Sequence, residues 1–401
     1  MIKENSKVFL LILLGMLTAF GPFVTDMYLP SLPSMGVYFS TSSSMIQLGL
    51  TTSMIGLAVG QIFFGPLSDR YGRRLPLVSA MWLFIASTLL CLFSQTIEQF
   101  VAFRLFQGIA GAGGIVISRS VATDKYSGHE LAKMLAVIGA INGVAPVAAP
   151  IVGGVLTDSI GWKGIFWVLF VLGLILLAGC MRFRESLPVE NRSAEKWSDT
   201  FRSFGVVLRD RRYVCYVLQM ASAQGILFAN IASAPFILQQ HYGFSAFEFS
   251  LFFGINAMSI GVAAALSVKF RRSESCTLAG CCGMVIASVL QCWALMSDCS
   301  FWLYEVLMLV LLFSMGMTFT SSTALAMESQ RENSGTASAL LGAFCFAAGG
   351  IVSPLVGLGN ILSSTGVVFL VCSCCSLLCM LVALGRRGTR LYFALSAVRR
   401  H

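Results

Sequence analysis

Twelve long apolar runs constrain what this 401-residue chain can fold into. They lie near 8–28, 45–66, 76–95, 98–118, 134–157, 163–181, 213–237, 247–268, 277–297, 301–326, 335–358 and 365–384. A helix needs about 20 mainly apolar residues to cross a ~30 Å hydrocarbon core, and the runs match that length. The chain is 57% hydrophobic and only 11% charged, against roughly 25% charged in soluble globular proteins. That is too little charge to make a polar skin, so lipid must solvate the outside. The fold class is an all-α membrane protein with twelve transmembrane helices. The short link Gln95-Thr96-Ile97-Glu98 makes the third and fourth runs an antiparallel helical hairpin.

Loop charge tests this count independently. Lys and Arg gather in cytoplasmic loops. With a cytoplasmic N-terminus, 25 of the 27 Lys and Arg fall on the cytoplasmic side. Only Lys163 falls outside, and only Arg104 falls within a span. A missed or invented span would scramble that alternation. The reading is a multi-pass protein with both termini in the cytoplasm, its first apolar run retained as a span because no small-residue cleavage site follows it. The net charge of +9 is then a topology signal, and no nucleic-acid partner is needed to explain it.

The polar segment 182–212 has six spans on either side. The chain therefore divides into an N-terminal six-helix half (1–181), a central cytoplasmic loop (182–212), a C-terminal six-helix half (213–385) and a basic cytoplasmic tail (386–401). Secondary transporters are commonly built from such repeats, with the solute site at the bilayer midplane between them. The 13 cysteines lie mostly inside runs and have no metal-ligand spacing, so they read as small apolar filler. No metal site is expected.

The loop after the second run reads Gly65-Pro-Leu-Ser-Asp69-Arg70-Tyr-Gly72-Arg73-Arg74. Gly65 and Gly72 permit a tight reversal. Asp69 can pair with an arginine or a helix N-terminus, and Arg70, Arg73 and Arg74 can bind carboxylates or lipid phosphates. These residue types suit a latch between helices that breaks when the protein changes state. The matching loop after the eighth run keeps basic residues and one acid (Lys269, Arg271, Arg272, Glu274) but has no glycines.

The Gly65–Arg74 stretch resembles the signature loop of the major facilitator superfamily. Arg104-Leu-Phe-Gln107-Gly108 is similar to that family's arginine-glycine motif. Gly143-Val-Ala-Pro146-Val-Ala-Ala-Pro150-Ile-Val-Gly153-Gly154 resembles its antiporter motif, with Ala149 where a glycine is usual. Thr25-Asp26-Met27-Tyr28-Leu29-Pro30-Ser-Leu-Pro33, with Arg119 and Asp124, resembles the bicyclomycin and chloramphenicol resistance subfamily. Related multidrug exporters carry a second acid two turns before Asp26, where this chain has Thr18. The resemblance implies the major facilitator fold and proton-driven export of drugs.

Asp26 and Arg104 are the two intramembrane charges that stand out. A charge at span depth costs about 2.5–3.5 kcal/mol on insertion scales, so each should face a cavity or a partner. Arginine cannot discharge. The two lie at similar depth, and an interaction between them, direct or through water, would let a proton on Asp26 release Arg104. That makes them the candidate proton-coupling pair. The glycines and prolines of the fifth run allow close packing and a bend. Tyr28, Gln107, Asn142, Phe228, Asn230 and Asn256, with Gln224 and the Thr318–Thr323 cluster, are candidates for a solute cavity.

The chain has no phosphate-binding loop, no H-e-x-x-H pair and no Ser-His-Asp set. Neither an enzyme nor a bound cofactor is expected; the drive is the proton gradient. The reading is a functional monomer in the bacterial inner membrane that exports hydrophobic or amphipathic drugs and meets protons and lipid as its other partners. The alternatives are a proton-coupled carrier of a small metabolite and a non-transporting receptor or scaffold.

Overall fold

Lipid offers no hydrogen bonds, so a spanning backbone must satisfy its own polar groups. The computed structural model describes residues 5–192, 197–270, 272–330 and 334–398, and has no strand among them. Lys3, Lys196, Arg271, Arg331, Arg399 and Arg400 of the charge pattern lie outside the described residues.

The first four spans are α1 (Lys7–Asp26), α2 (Ser43–Tyr71), α3 (Arg74–Leu92) and α4 (Ile97–Lys125). The fifth and sixth are joined in one 55-residue helix, Gly128–Arg182. Laid straight, such a helix would reach about 80 Å, more than twice a membrane core. It is interrupted at Gly161, where φ is 69° and ψ is −177°. The break gives α5 (128–160) and α6 (162–182). Eleven described stretches are long and apolar enough to span, with Val144–Arg182 taken as one; the break at Gly161 restores the twelve crossings.

The remaining spans are α7 (Arg211–Phe236), α8 (Ala246–Ser267), α9 (Ser273–Met296), α10 (Phe301–Glu328), α11 (Ser334–Leu355) and α12 (Ile361–Val398, interrupted at Gly385). Helix starts follow capping chemistry. Ser6, Ser42, Thr96, Ser245 and Asp210 each accept a backbone N–H of the first turn, and Ser245 forms a full capping box with Glu248.

Packing inverts the soluble pattern. Large apolar side chains such as Trp82, Trp167, Trp293, Trp302 and Leu378 are exposed, while Gln47, Gln107, Gln219 and Thr365 are buried. Lipid tails are as apolar as leucine, so helices associate through close fit and polar contacts. The close fit is built from glycine. A Cβ on Gly108 of α4 would overlap the Ser53 carbonyl of α2, and one on Gly56 of α2 would overlap the Leu105 carbonyl of α4.

The first and last six helices meet along two pairs, α2 with α11 and α5 with α8. Hydrogen bonds between these two sets lie at the end away from the arginine-rich loops: Gln47 Nε2 to the Ala232 carbonyl (3.0 Å), Gln239 Nε2 to the Pro30 carbonyl (2.9 Å) and Phe247 N to Asp158 (3.3 Å). Among the described residues, one further link lies deeper, from Ser353 to the Met54 sulfur.

Gly161 occupies a backbone region that is essentially restricted to glycine. Its surroundings are open, so Gly161→Ala should cost about 1–3 kcal/mol through backbone strain alone. Thermal unfolding in detergent should show the loss; an unchanged midpoint would contradict the break.

Candidate functional site

The first span is discontinuous. Proline lacks an N–H, and its ring opposes the carbonyl four residues back. Pro30 and Pro33 therefore stop α1 at Asp26. The chain passes through Met27 and Tyr28, makes a 3-10 turn at Leu29–Ser31 and resumes as the short helix Leu32–Tyr38. A helix C-terminus, with open carbonyls and a partial negative charge, is thereby created inside the protein.

Arg104 of α4 fills that end. It is fully buried. Its Nη1 and Nη2 both donate to the Val24 carbonyl at 3.2 Å, and Nε donates to the Gly49 carbonyl of α2 at 3.4 Å. Nη1 also donates to Gln107 Oε1, and Gln107 Nε2 donates to Thr88 of α3 at 2.8 Å. The guanidinium lies 4.3 Å from the Tyr28 ring centroid; such a contact is worth about 2 kcal/mol when desolvated. Phe100 and Phe166 pack behind the Tyr28 ring. The absence of a side chain at Gly49 leaves room for Arg104 and Phe100.

Asp26 is buried at the same break, at 6% exposure. No ion pair joins it to Arg104; the cation is satisfied by neutral acceptors and an aromatic face. Thr18, at the place of the second acid in related exporters, bonds Ser118 of α4 at 2.9 Å.

The antiporter-like helix packs directly on this break. A Cβ on Gly153 would overlap the Met27 carbonyl, whereas one on Gly154 would strike Ser250 and the Ala246 carbonyl of α8. Adjacent glycines thus seat α5 against α1 on one side and against the C-terminal helices on the other. Pro146 and Pro150 lie within the same helix. The side chain of Asn142, and Gly143 with it, lie outside the described residues.

The remaining cavity candidates are dispersed. Tyr28 and Gln107 belong to the Arg104 cage. Phe228 packs on α11 against Gly349 and Phe346. Asn230 and Asn256 are buried with their carbonyl oxygens unpartnered. Thr318 and Thr323 bond backbone carbonyls of their own helix.

The count of two intramembrane charges needs correction. Glu305 of α10 is also buried, at 4% exposure. Its signal was an acid five residues into the 301–326 run, close enough to the end to read as a boundary residue.

The signature loop forms a latch inside the N-terminal half. Arg73 is 6% exposed. It makes a two-pronged bond to Asp124 of α4 (Nε–Oδ2 2.8 Å, Nη2–Oδ1 3.1 Å) and bonds Asp69 and Ser68 of α2. Burial alone would lower the guanidinium pKa, but the bonds to Asp124 and Asp69 outweigh it and hold it above the ordinary arginine value. Glu185, just beyond α6, accepts the Arg73 and Arg74 backbone N–H groups at 2.8 and 3.1 Å. Gly72 has φ 88°, and a Cβ there would meet the Glu185 carboxylate. Arg74 donates to the Met181 carbonyl, Arg70 lies over the Tyr71 ring, and Gly65 sits in ordinary contact with Val116. The roles of Glu185 and Ser186, which bonds Asp124 at 2.9 Å, were not legible in sequence, where Glu185 is one of several acids in a charged loop.

A family model described as Major Facilitator Superfamily matches residues 11–354. The "uncharacterized MFS-type transporter YdgK" of Bacillus subtilis is 36% identical over 363 residues, covering 89% of this chain and 90% of that protein. A "bicyclomycin resistance protein homolog" of Haemophilus influenzae is 28% identical over 361 residues, covering 88% and 90%. A "chloramphenicol resistance protein" of Pseudomonas aeruginosa is 26% identical over 291 residues, covering 69% and 67%. Among solved structures, a D-xylose-proton symporter superposes with a TM-score of 0.75 at 18% identity, over 95% of this chain and 98% of that one.

Two stability predictions follow from the loop chemistry. Arg73→Ala strands the nearly buried Asp124 and should cost about 3–5 kcal/mol; Arg73→Lys should recover only part, because an ammonium cannot make the two-pronged bond. Thermal unfolding measures both, and a neutral Arg73→Ala would rule out the latch. Asp210 caps α7; burial opposes its charge, but bonds from Gln330, Ser329 and the Tyr213 and Arg212 N–H groups lower its pKa below 3.8. A lowered carboxyl stabilises the fold above its unfolded pKa and loses that contribution as pH falls through the folded one. Asp210→Asn should therefore lower the unfolding midpoint at neutral pH, with the gap to wild type closing in acid.

Proposed function

The chain belongs to the major facilitator superfamily, and we propose that it is a proton-coupled exporter of hydrophobic or amphipathic drugs in the bacterial inner membrane. The relatives named for bicyclomycin and chloramphenicol resistance support the substrate class. The arginine-rich end faces the cytoplasm, as loop charge requires. The helix sets joined by hydrogen bonds at the opposite end then close the outer side, so drug enters from the cytoplasm or inner leaflet.

The observation that carries the coupling is the disposition of Arg104. Its charge is met by the Val24 and Gly49 carbonyls, Gln107 and the Tyr28 ring. Asp26 is left at the same break without a salt bridge. A carboxyl locked in a permanent ion pair would stay charged, whereas Asp26 is free to take up and release a proton with Arg104 acting on it across the break. Binding of the proton changes the charge at the joint where α1, α4 and α5 meet, and that is where a rocking motion of the halves would be biased. The outer side supplies the proton, the cytoplasm receives it, and drug leaves in exchange. The protein works as a monomer with no cofactor beyond the proton gradient.

Expression in a pump-deficient bacterium should raise resistance to bicyclomycin or chloramphenicol in growth assays. Asp26→Asn should reduce resistance to the empty-vector level at unchanged membrane abundance, and Arg104→Lys should weaken it because the fork to Val24 is lost. Intact proton-driven export by Asp26→Asn would reject the coupling role.

A further inference from the structure

The C-terminal half contains a buried acid that the proposed coupling does not use. Glu305 lies four residues beyond Phe301, where α10 begins, hence about 6 Å along the helix from its outer end. Neither carboxyl oxygen has a hydrogen-bond partner of good geometry; the nearest polar side chain is Asn256 of α8, whose own carbonyl oxygen is unpartnered. An isolated carboxylate in such a place is strongly disfavoured unless it is paired or neutralised.

Among the described residues, no cation pairs with it. The helices packed on α10 are α7, α8 and α9, with a lighter contact to α11, which carries no Lys or Arg. Neither α8, α9 nor α10 contains a Lys or Arg, and those of α7 are Arg211 and Arg212 at the opposite end. The titratable neighbours on the outer rim are Tyr304 beside it, Tyr242, whose hydroxyl bonds the Cys299 carbonyl at 3.0 Å, and Cys299 itself. His241 is engaged with Asp298 at 2.9 Å, and Glu248 is exposed in the capping box of α8. The amide oxygen and nitrogen of Gln291 on α9 are buried and unpartnered and carry no charge.

The way in is also built. Tyr242, Phe244, Phe252, Phe301 and Trp302 form a ring-on-ring cluster over the outer end of α10. Asn256 lies on the face of α8 turned to α10, as does Ser259, which bonds the Leu309 carbonyl at 3.2 Å, so movement of the aromatic cluster at the outer end of α10 would open this site to outside water.

We propose that Glu305 is a second proton-carrying site, loaded from the outer medium when the aromatic cluster over the outer end of α10 opens and sealed as the neutral acid when it closes. The step is a simple protonation: the carboxylate takes one proton from water outside and returns it when the site is next hydrated. Its direction rests on the cytoplasmic placement of the arginine-rich end, but the site does not depend on which solute is carried. Asp26 in the N-terminal half and Glu305 in the C-terminal half would then titrate independently.

The test needs no solute. Purified full-length protein in detergent, in unbuffered solution with a pH-indicator dye, is taken from about pH 9 to about pH 6, where exposed carboxylates stay ionised, and its proton uptake is counted. Glu305→Gln should take up one proton fewer than wild type, Asp26→Asn one fewer, and the double variant two fewer. Should Glu305→Gln fail to fold, wild-type protein with carbon-13-labelled glutamate carboxyls reports the same group by infrared spectroscopy, because Glu305 is the buried glutamate among the described residues. A label-shifted band of a neutral carboxyl lacking hydrogen bonds supports the site. Uptake by a folded Glu305→Gln equal to that of wild type, or no such band, overturns it. Failure of drug resistance would reject the exporter reading and leave these counts unaffected.

Discussion

The structure turns on a guanidinium docked at the broken end of a helix. Arg104 cannot lose its charge, and no carboxylate is bonded to it. Its stability inside the bundle comes from the carbonyls that α1 leaves open when the prolines at 30 and 33 stop it. Residues on four helices serve this one contact. Gly49 leaves space on α2, Thr88 on α3 orients Gln107 of α4, and Tyr28 supplies an aromatic face from the break itself. The glycine seam between α2 and α4 brings the supporting backbones close enough for these bonds to form.

The same break organises the meeting of the halves. Gly153 lets α5 rest on the Met27 carbonyl, and its neighbour Gly154 lets the opposite face of α5 rest on α8. Gln239 reaches from the end of α7 to the Pro30 carbonyl. A change of charge or shape at residues 24–30 therefore bears at once on the N-terminal packing and on the contacts between the two halves. The latch around Arg73 has a different place: it ties the ends of α2, α4 and α6 together within one half.

Much of the architecture was legible because lipid is an unforgiving solvent. Run length and the sidedness of Lys and Arg each report on crossings, and the two agree on twelve; the fifth and sixth runs divide where Gly161 interrupts the joined helix. The Arg73 cluster was legible in residue type but not in partners, since Asp124 and Glu185 arrive from distant turns of chain. The interaction of Asp26 with Arg104, direct or through water, was reasoned from charge alone; the backbone carbonyls that also hold the cation have no signature in sequence. Glu305 escaped notice because an acid near a span end looks the same whether it points to water or inward.

The sequence by itself determined that this chain lives in a membrane, how many times it crosses, and that prolines interrupt the first crossing where an acid sits. Hydrophobic run length, loop charge and the missing proline N–H are local properties, and each dictates its outcome without reference to the rest of the fold. Only the tertiary structure decided what the buried charges touch. Hydrogen bonds to carbonyls, rings and neighbouring helices depend on which faces the glycine contacts bring together, and those contacts are set by the packing of whole helices.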